Sequence, residues 1–300
     1  MNGILPLWKP KGLTSHDCVV QIRKIFKTKK VGHTGTLDPE VEGVLPICIG
    51  EATKIVPYLT ETKKGYVAKV ALGQSTDTED RHGSIVDKKS VIDFPSEKRI
   101  ENVLQSFRGT IKQVPPMYSA VKVNGKKLYE YARAGEEIKR PVREIIIYEL
   151  NQLPLKAEEK EKNRFSIEIV CSKGTYIRTL CVDIGKCLGY PAHMSDLVRT
   201  TSASFTKKHT VTFSIIEEAA KHNRQDQLLL PMIKGLDHLD ILYVGEETKR
   251  RVYHGQKISK SNHKLTTDPF VVMHDQQLLA IYQIHPQKPE QMKPVRVFHG

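Results

Sequence analysis

Cysteine is scarce and poorly spaced for metal or redox duty. The five cysteines, at positions 18, 48, 171, 181 and 187, form no C-x-x-C pair and have no histidine at zinc spacing. That excludes a zinc ribbon and a paired disulfide framework and leaves reduced, mostly buried thiols as the expectation. Long apolar runs are missing too. Nowhere do eighteen apolar residues follow one another, and the opening MNGILPLWKPKG carries no apolar signal segment, so a cytoplasmic protein with no membrane contact is expected. No P-loop and no dinucleotide fingerprint occurs, and neither does an internal repeat or a low-complexity tract. Acid is in short supply: 34 Asp+Glu stand against 47 Lys+Arg, a net charge of +13. Such an excess suits a polyanionic partner, because clustered cations release counterions from phosphates.

What is present is the text of a globular chain. With 39% hydrophobic and 27% charged residues over 300 positions, it can bury a sizeable core, and two unequal domains are expected. The most suggestive stretch is GHTGTLDPEVEG at 32–43. Three glycines, a proline and small hydroxyl residues surround Asp38, and the apolar run 44–49 follows at once. This reads as a tight loop leading into a buried strand. A carboxylate at the mouth of a core can act as nucleophile or general base. Asp-Pro is also a common plain turn, so the stretch alone leaves both readings open.

Around that loop the coarse pattern is clear. A strand at 2–8 precedes a helix capped by Thr14 or Ser15, with Cys18, Val19, Ile22, Ile25 and Phe26 on its apolar face. The consecutive Ser15-His16-Asp17 is a capping segment, since catalytic triads assemble from distant positions. A helix is expected from about Glu51 until Pro57 disturbs it. A strand at 65–73 places Tyr66, Ala68, Val70 and Leu72 on one face. The acids of TDTEDRHG at 76–83 read as solvated. Ser96 caps a helix with Ile100, Val103, Leu104 and Phe107 inward and Gly109 at its end.

Further on, Asn124-Gly125 signals a hairpin and LYEYARA a short helix. The tyrosines and cations of this arm fit either nucleic-acid stacking or packing on a local core. Strands follow at 143–150 and 164–171, with LKAEEKEKN between them as a solvated loop. Thr175 is placed to cap a helix bearing Ile177, Leu180, Cys181, Ile184 and Leu188. Arg178 lies in its first turn, against the helix dipole, and a buried carboxylate such as Asp38 would account for it. A strand at 210–213 and helical segments at 214–222 and 227–234 complete this part. Beyond Gly235 the texture turns to short β runs at 240–244, 270–273, 278–284 and 294–298.

Five ordered blocks make one constellation: LWKPKGLTSH at 7–16, VGHTGTLDPEVEGVLPICIGEATK at 31–54, KGYVAKVALGQSTDTED at 64–80, PPMYSAVKVNGKKLYEYAR at 115–133 and CSKGTYIRTLCVDIG at 171–185. With them the chain resembles the bacterial tRNA pseudouridine-55 synthases, the TruB family. The resemblance implies an α+β pseudouridine synthase fold with a bent, largely antiparallel sheet over 1–235. It also implies an inserted RNA-gripping arm at about 109–148 and a small β-barrel PUA domain over 236–300. The implied reaction isomerises uridine 55 of the T loop of tRNA with no cofactor and no metal.

By the same resemblance Asp38 is the catalytic aspartate, Arg178 its arginine partner and Tyr66 the ring that stacks on the target base. His33 fills the stack vacated by the flipped uridine, and Asp80, Tyr176 and Leu197 line the pocket, which replaces the solvated reading of the 76–83 loop. Lys9 and Pro10 support the catalytic loop, and Lys126 and Tyr129 act on the arm. Whether Asp38 attacks ribose C1′, attacks base C6 or removes a proton to give a glycal stays open. The implied partner is tRNA, gripped at the T arm and, through the PUA-like domain, at the acceptor end. The arm argues for independent substrate binding, against a subunit that needs guide RNA and partner proteins, and a monomer with no obligatory protein partner is expected. A non-catalytic tRNA-folding chaperone is the remaining alternative.

Overall fold

The computed structural model describes residues 1–260 and 264–299. Positions 261–263 and 300 of the expected C-terminal domain lie outside the described residues. The chain divides into two compact units: the described residues of 1–40, 44–60 and 203–300 form one, and residues 41–43 and 61–202 the other.

In the first unit the strand Gly3–Lys9 leads to the helix Ser15–Ile25. Thr14 is its cap and forms a reciprocal box with Asp17: the Thr14 hydroxyl accepts from the Asp17 N–H, and the Asp17 carboxylate accepts from the Thr14 N–H. Cys18, Val19, Ile22 and Phe26 of the predicted face bury against Leu5, Leu7, Leu45 and Ile47. The short strand Val31–His33 pairs antiparallel with Glu42–Ile49, matching Val31 to Ile49 and His33 to Ile47. Ile4, Val44, Cys48, Ile55 and Leu59 share a core with Leu236, Val271, Ile281 and Phe298.

The C-terminal stretch of this unit is a five-stranded sheet in the order Ile241–Tyr243, Phe270–His274, Gln277–His285, Lys288–Val297, Ile258–Ser259. A half-barrel of this kind is consistent with a PUA-like domain. The helix Glu246–Tyr253, which the β-rich text hid, buries Val252 against it.

The second unit is an antiparallel sheet in the order Ala192–Ser202, Lys64–Leu72, Arg164–Cys171, Arg143–Gln152, Gly109–Gln113. At 164–171 the predicted face is buried at Phe165, Ile167, Ile169 and Cys171, and Ser166 on the opposite face is buried as well. The helix Ile177–Cys187 buries the face given by its apolar spacing, while Glu97–Ser106 buries Ile100 and Leu104 and leaves Val103 and the following Phe107 half-buried. The arm carries the hairpin Lys122–Val123 with Lys126–Lys127. Asn124 and Gly125 both take positive φ (50° and 82°), the geometry that an Asn-Gly pair favours. The helix Leu128–Ala134 follows and ends at Gly135, which is left-handed.

Several expectations are corrected. LKAEEKEKN is no solvated loop: Ala157–Glu161 is helical, and the Glu159 carboxylate is buried where it accepts from the Ser166 hydroxyl (2.7 Å). Tyr176, rather than Thr175, is the cap of the helix Ile177–Cys187, because the Thr175 hydroxyl donates to the Ser172 carbonyl. Pro57 begins no disturbance; it is the second residue of Val56–Thr60, where a helix asks for no N–H. The segment before it, Gly50–Ile55, is a 3₁₀ helix. At 210–213 only Val211 bridges, to Leu7, before the helix Phe213–Lys221 starts. No helix among the described residues is long and apolar enough to cross a membrane.

Candidate active site

The loop at 32–43 is shaped from its flanks. Lys9 is fully buried although it bears a charge, and its ammonium donates to the carbonyls of Pro10 (2.9 Å) and Pro39 (3.0 Å). The Gly12 N–H also donates to the Pro39 carbonyl. On the other side the Ser15 hydroxyl accepts from the Leu37 N–H (2.8 Å) and donates to the Leu37 carbonyl (3.3 Å). Leu37 and Pro39 are therefore both anchored, and Asp38 is the half-buried residue between them. Earlier in the loop His33 is half-buried, and its Nδ1 accepts from the Gly35 N–H (3.3 Å), closing a tight turn.

In the second unit, Tyr66 lies on Lys64–Leu72 with Ile169 opposite on one neighbouring strand and Arg199 opposite on the other. Arg199 is 1% exposed, and its guanidinium is hydrogen-bonded to the Tyr66 side chain. Lys64 is a second buried cation. Burial, with Arg199 nearby, pushes its ammonium down to about 8, and Nζ donates to the Thr62 carbonyl (2.6 Å).

Arg178 is also buried. Its Nη1 donates to the Thr78 carbonyl (3.0 Å) and its Nη2 to the Tyr118 carbonyl (2.9 Å), so one guanidinium ties the 76–83 loop to the base of the arm. Beside it, the Glu79 carboxylate accepts from the Thr179 hydroxyl and stands 4.0 Å from Arg140. Burial raises its proton affinity, and Thr179, Arg178 and Arg140 oppose the rise.

Asp80 accepts from the Thr78 hydroxyl and the His82 N–H, both at 2.8 Å, so this acid orders its own loop. Tyr176 is half-buried, with its backbone held on both sides by the Gln113 amide: N–H to Oε1 at 2.9 Å and Nε2 to C=O at 3.0 Å. Leu197 is buried on the strand beside Tyr66.

On the arm, Tyr131 is the ring that packs locally, donating its hydroxyl to the Val123 carbonyl, while the Tyr129 ring has the Lys127 ammonium 5.3 Å and the Arg133 guanidinium 5.4 Å from its centroid. Lys126 pairs with Glu136 at 3.0 Å. A cavity of about 740 Å³ opens between Asp77, Tyr118 and the far end of the arm at Lys139 and Arg140.

Two family models account for most of the chain. The model of the TruB family pseudouridylate synthase N-terminal domain matches residues 23–177, and that of the tRNA pseudouridylate synthase B C-terminal domain matches residues 178–239. The chain belongs to the TruB family of pseudouridylate synthases. Its relatives run the full length. A tRNA pseudouridine synthase B of Oceanobacillus iheyensis is 63% identical, with 99% of this chain and 98% of that one covered. One of Bacillus licheniformis is 50% identical, with 99% and 97% covered. Among solved structures, a Cbf5-Nop10-Gar1 complex contains a chain 28% identical, with a TM-score of 0.73 and coverage of 99% of this chain and 84% of that one. The pseudouridine synthase fold is thereby established, and with it an isomerase.

For a TruB-family enzyme, the residues that sequence reasoning named divide between the two units. Lys9, His33 and Asp38 are in the first; Tyr66, Asp80, Lys126, Tyr129, Tyr176, Arg178 and Leu197 are in the second. Sequence reasoning missed Arg199, Glu79 and Gln113. Gln113 carried no signal at all. Arg199 carried a weak one: a lone arginine in an otherwise alternating strand is a cation that the fold must accommodate.

Proposed function

We propose that this enzyme isomerises uridine 55 in the T loop of tRNA to pseudouridine. The observation that carries the reading is full-length identity of 63% to a relative named tRNA pseudouridine synthase B. In the reaction the N1–C1′ bond breaks, a C5–C1′ bond forms, the C5 proton leaves and N1 takes one up, so no electron or group donor is consumed.

Asp38 is the carboxylate that acts on the ribose or the base, and Arg178 is its arginine partner. A carboxylate used this way needs a backbone that does not drift, and the bonds from Lys9 and Ser15 supply that on either side of it. The target base must leave the folded T loop, at a cost of about a few kcal/mol in unstacking. His33 fills the vacated stack, and Tyr66 receives the base on its ring while its phenol assists the proton transfer. Asp80, Tyr176 and Leu197 line the pocket. Lys126 and Tyr129 grip the T loop from the 109–148 arm, and the domain from 236 onward reaches the acceptor end. The enzyme works in the cytoplasm as a monomer without a protein partner.

The test is site-mapped pseudouridine formation on an unmodified tRNA transcript with the purified chain alone. Conversion at position 55 by the native protein and none by Asp38→Asn is expected. Normal turnover by Asp38→Asn would refute the assignment of Asp38. Activity only with added proteins would favour a partner-dependent assembly.

A further inference from the structure

We propose that Arg199 is a positioning residue for the reaction, holding the Tyr66 phenol from within the sheet and thereby fixing the ring that meets the uracil. The inference rests on the reading of Tyr66 given above. A guanidinium withdrawn from water is costly, and a fold keeps one where its hydrogen bonds have a use. Arg199 is among the largest fully buried side chains, and the Tyr66 phenol is one of its partners. Arginine can only donate, so the phenol oxygen accepts, and a charge-assisted bond holds more firmly than a neutral one.

The placement is set by secondary structure. Arg199 and Tyr66 are directly opposite in antiparallel strands, a register that brings side chains of one face together. On its other edge the Arg199 backbone is abutted by Gly43, its parallel pairing partner. A Cβ at Gly43 would come within 2.2 Å of the Arg199 carbonyl oxygen, so the glycine permits the approach. Arg199 is thus held by strands on both sides.

A core filler and a positioning residue predict different kinetics. Single-turnover rates and tRNA affinities are measured for the wild type, Tyr66→Phe, Arg199→Met, Arg199→Lys and the double variants, with thermal unfolding as the check on folding. Arg199→Met should slow the single turnover by about ten- to a hundredfold, the size expected for losing a hydrogen bond to a charged group, with tRNA affinity unchanged. Arg199→Lys should recover part of the rate. Removing the phenol as well as Arg199 should cost no more than Tyr66→Phe alone.

A folded Arg199→Met with the wild-type rate, or losses that multiply in the double variant, would overturn the inference. If Arg199→Met fails to fold, Tyr66→Phe is compared in the Arg199→Lys background, where an undiminished cost of removing the phenol also overturns it. Tyr66→Phe at the wild-type rate would remove the role given to the phenol itself. A slow Tyr66→Phe beside a fast Arg199→Met would overturn Arg199 alone.

Discussion

Two loops of similar texture, 32–43 and 76–83, hold acids among glycine, threonine and turn residues, and the molecule builds them in opposite ways. The second is made by its own acids: Asp77 accepts from the Ser84 N–H, Asp80 from Thr78 and His82, and Glu79 from Thr179. The first is held by residues outside it, Lys9, Gly12 and Ser15, through the backbone on each side of Asp38. The first loop therefore depends on a buried cation and a hydroxyl from an earlier segment, and the second on the carboxylates it carries itself.

The comparison is open to attack at each point, beginning with the largest effect. Asp38→Asn should lower the single-turnover rate by about a thousandfold or more without lowering the thermal midpoint; a fall in stability comparable to that of Asp80→Ala would erase the distinction. Lys9→Met leaves the Pro39 carbonyl without that buried donor and should cost about 1–3 kcal/mol in urea unfolding, with a parallel loss of rate as the loop loosens. An unchanged urea midpoint would mean that the loop holds itself. Asp80→Ala should cost about 1–2 kcal/mol, since two hydrogen bonds to a charged acceptor vanish from a half-exposed site. Rate loss with full stability would move Asp80 to the chemical side.

The smallest effect is a pH dependence. The folded state raises the proton affinity of Glu79, so the stability that this group contributes is complete below its unfolded value of 4.5 and is lost as pH rises through the higher folded value. Glu79→Gln should therefore gain on the wild type between pH 4 and neutrality in chemical unfolding. A difference that stays flat across that range would show that burial does not govern this carboxylate.

Local signals were legible from sequence because their physics is local. The Thr14 cap with Asp17, the Asn124-Gly125 turn and the strand at 164–171 each follow from neighbours within a few residues. What was hidden depends on partners far along the chain. Glu79 meets Thr179 across 100 residues, and Gln113 meets Tyr176 across 63. Glu159 looked solvated only because its neighbours are charged; the Ser166 hydroxyl that rewards its burial is on the next strand. Of the candidate site, the identities came from motif text, while the supports beneath them, Arg199 above all, needed the register of two strands.

The division of the chain into units also has a consequence for how the protein is made. Most of the second unit is one continuous stretch, 61–202, whereas the first needs residues 1–40 and 44–60 together with residues from 203 onward. On a ribosome that delivers the amino end first, the sheet carrying Tyr66 and the helix carrying Arg178 can close while residues 1–40 and 44–60 still wait for their core mates. Leu236, Val271, Ile281 and Phe298 emerge last and complete the core around Ile4 and Val44. A nascent chain stopped after residue 202 would hold a formed second unit and a first unit whose core is unfinished, so the unit that carries Asp38 is completed only by residues that follow the whole of the other.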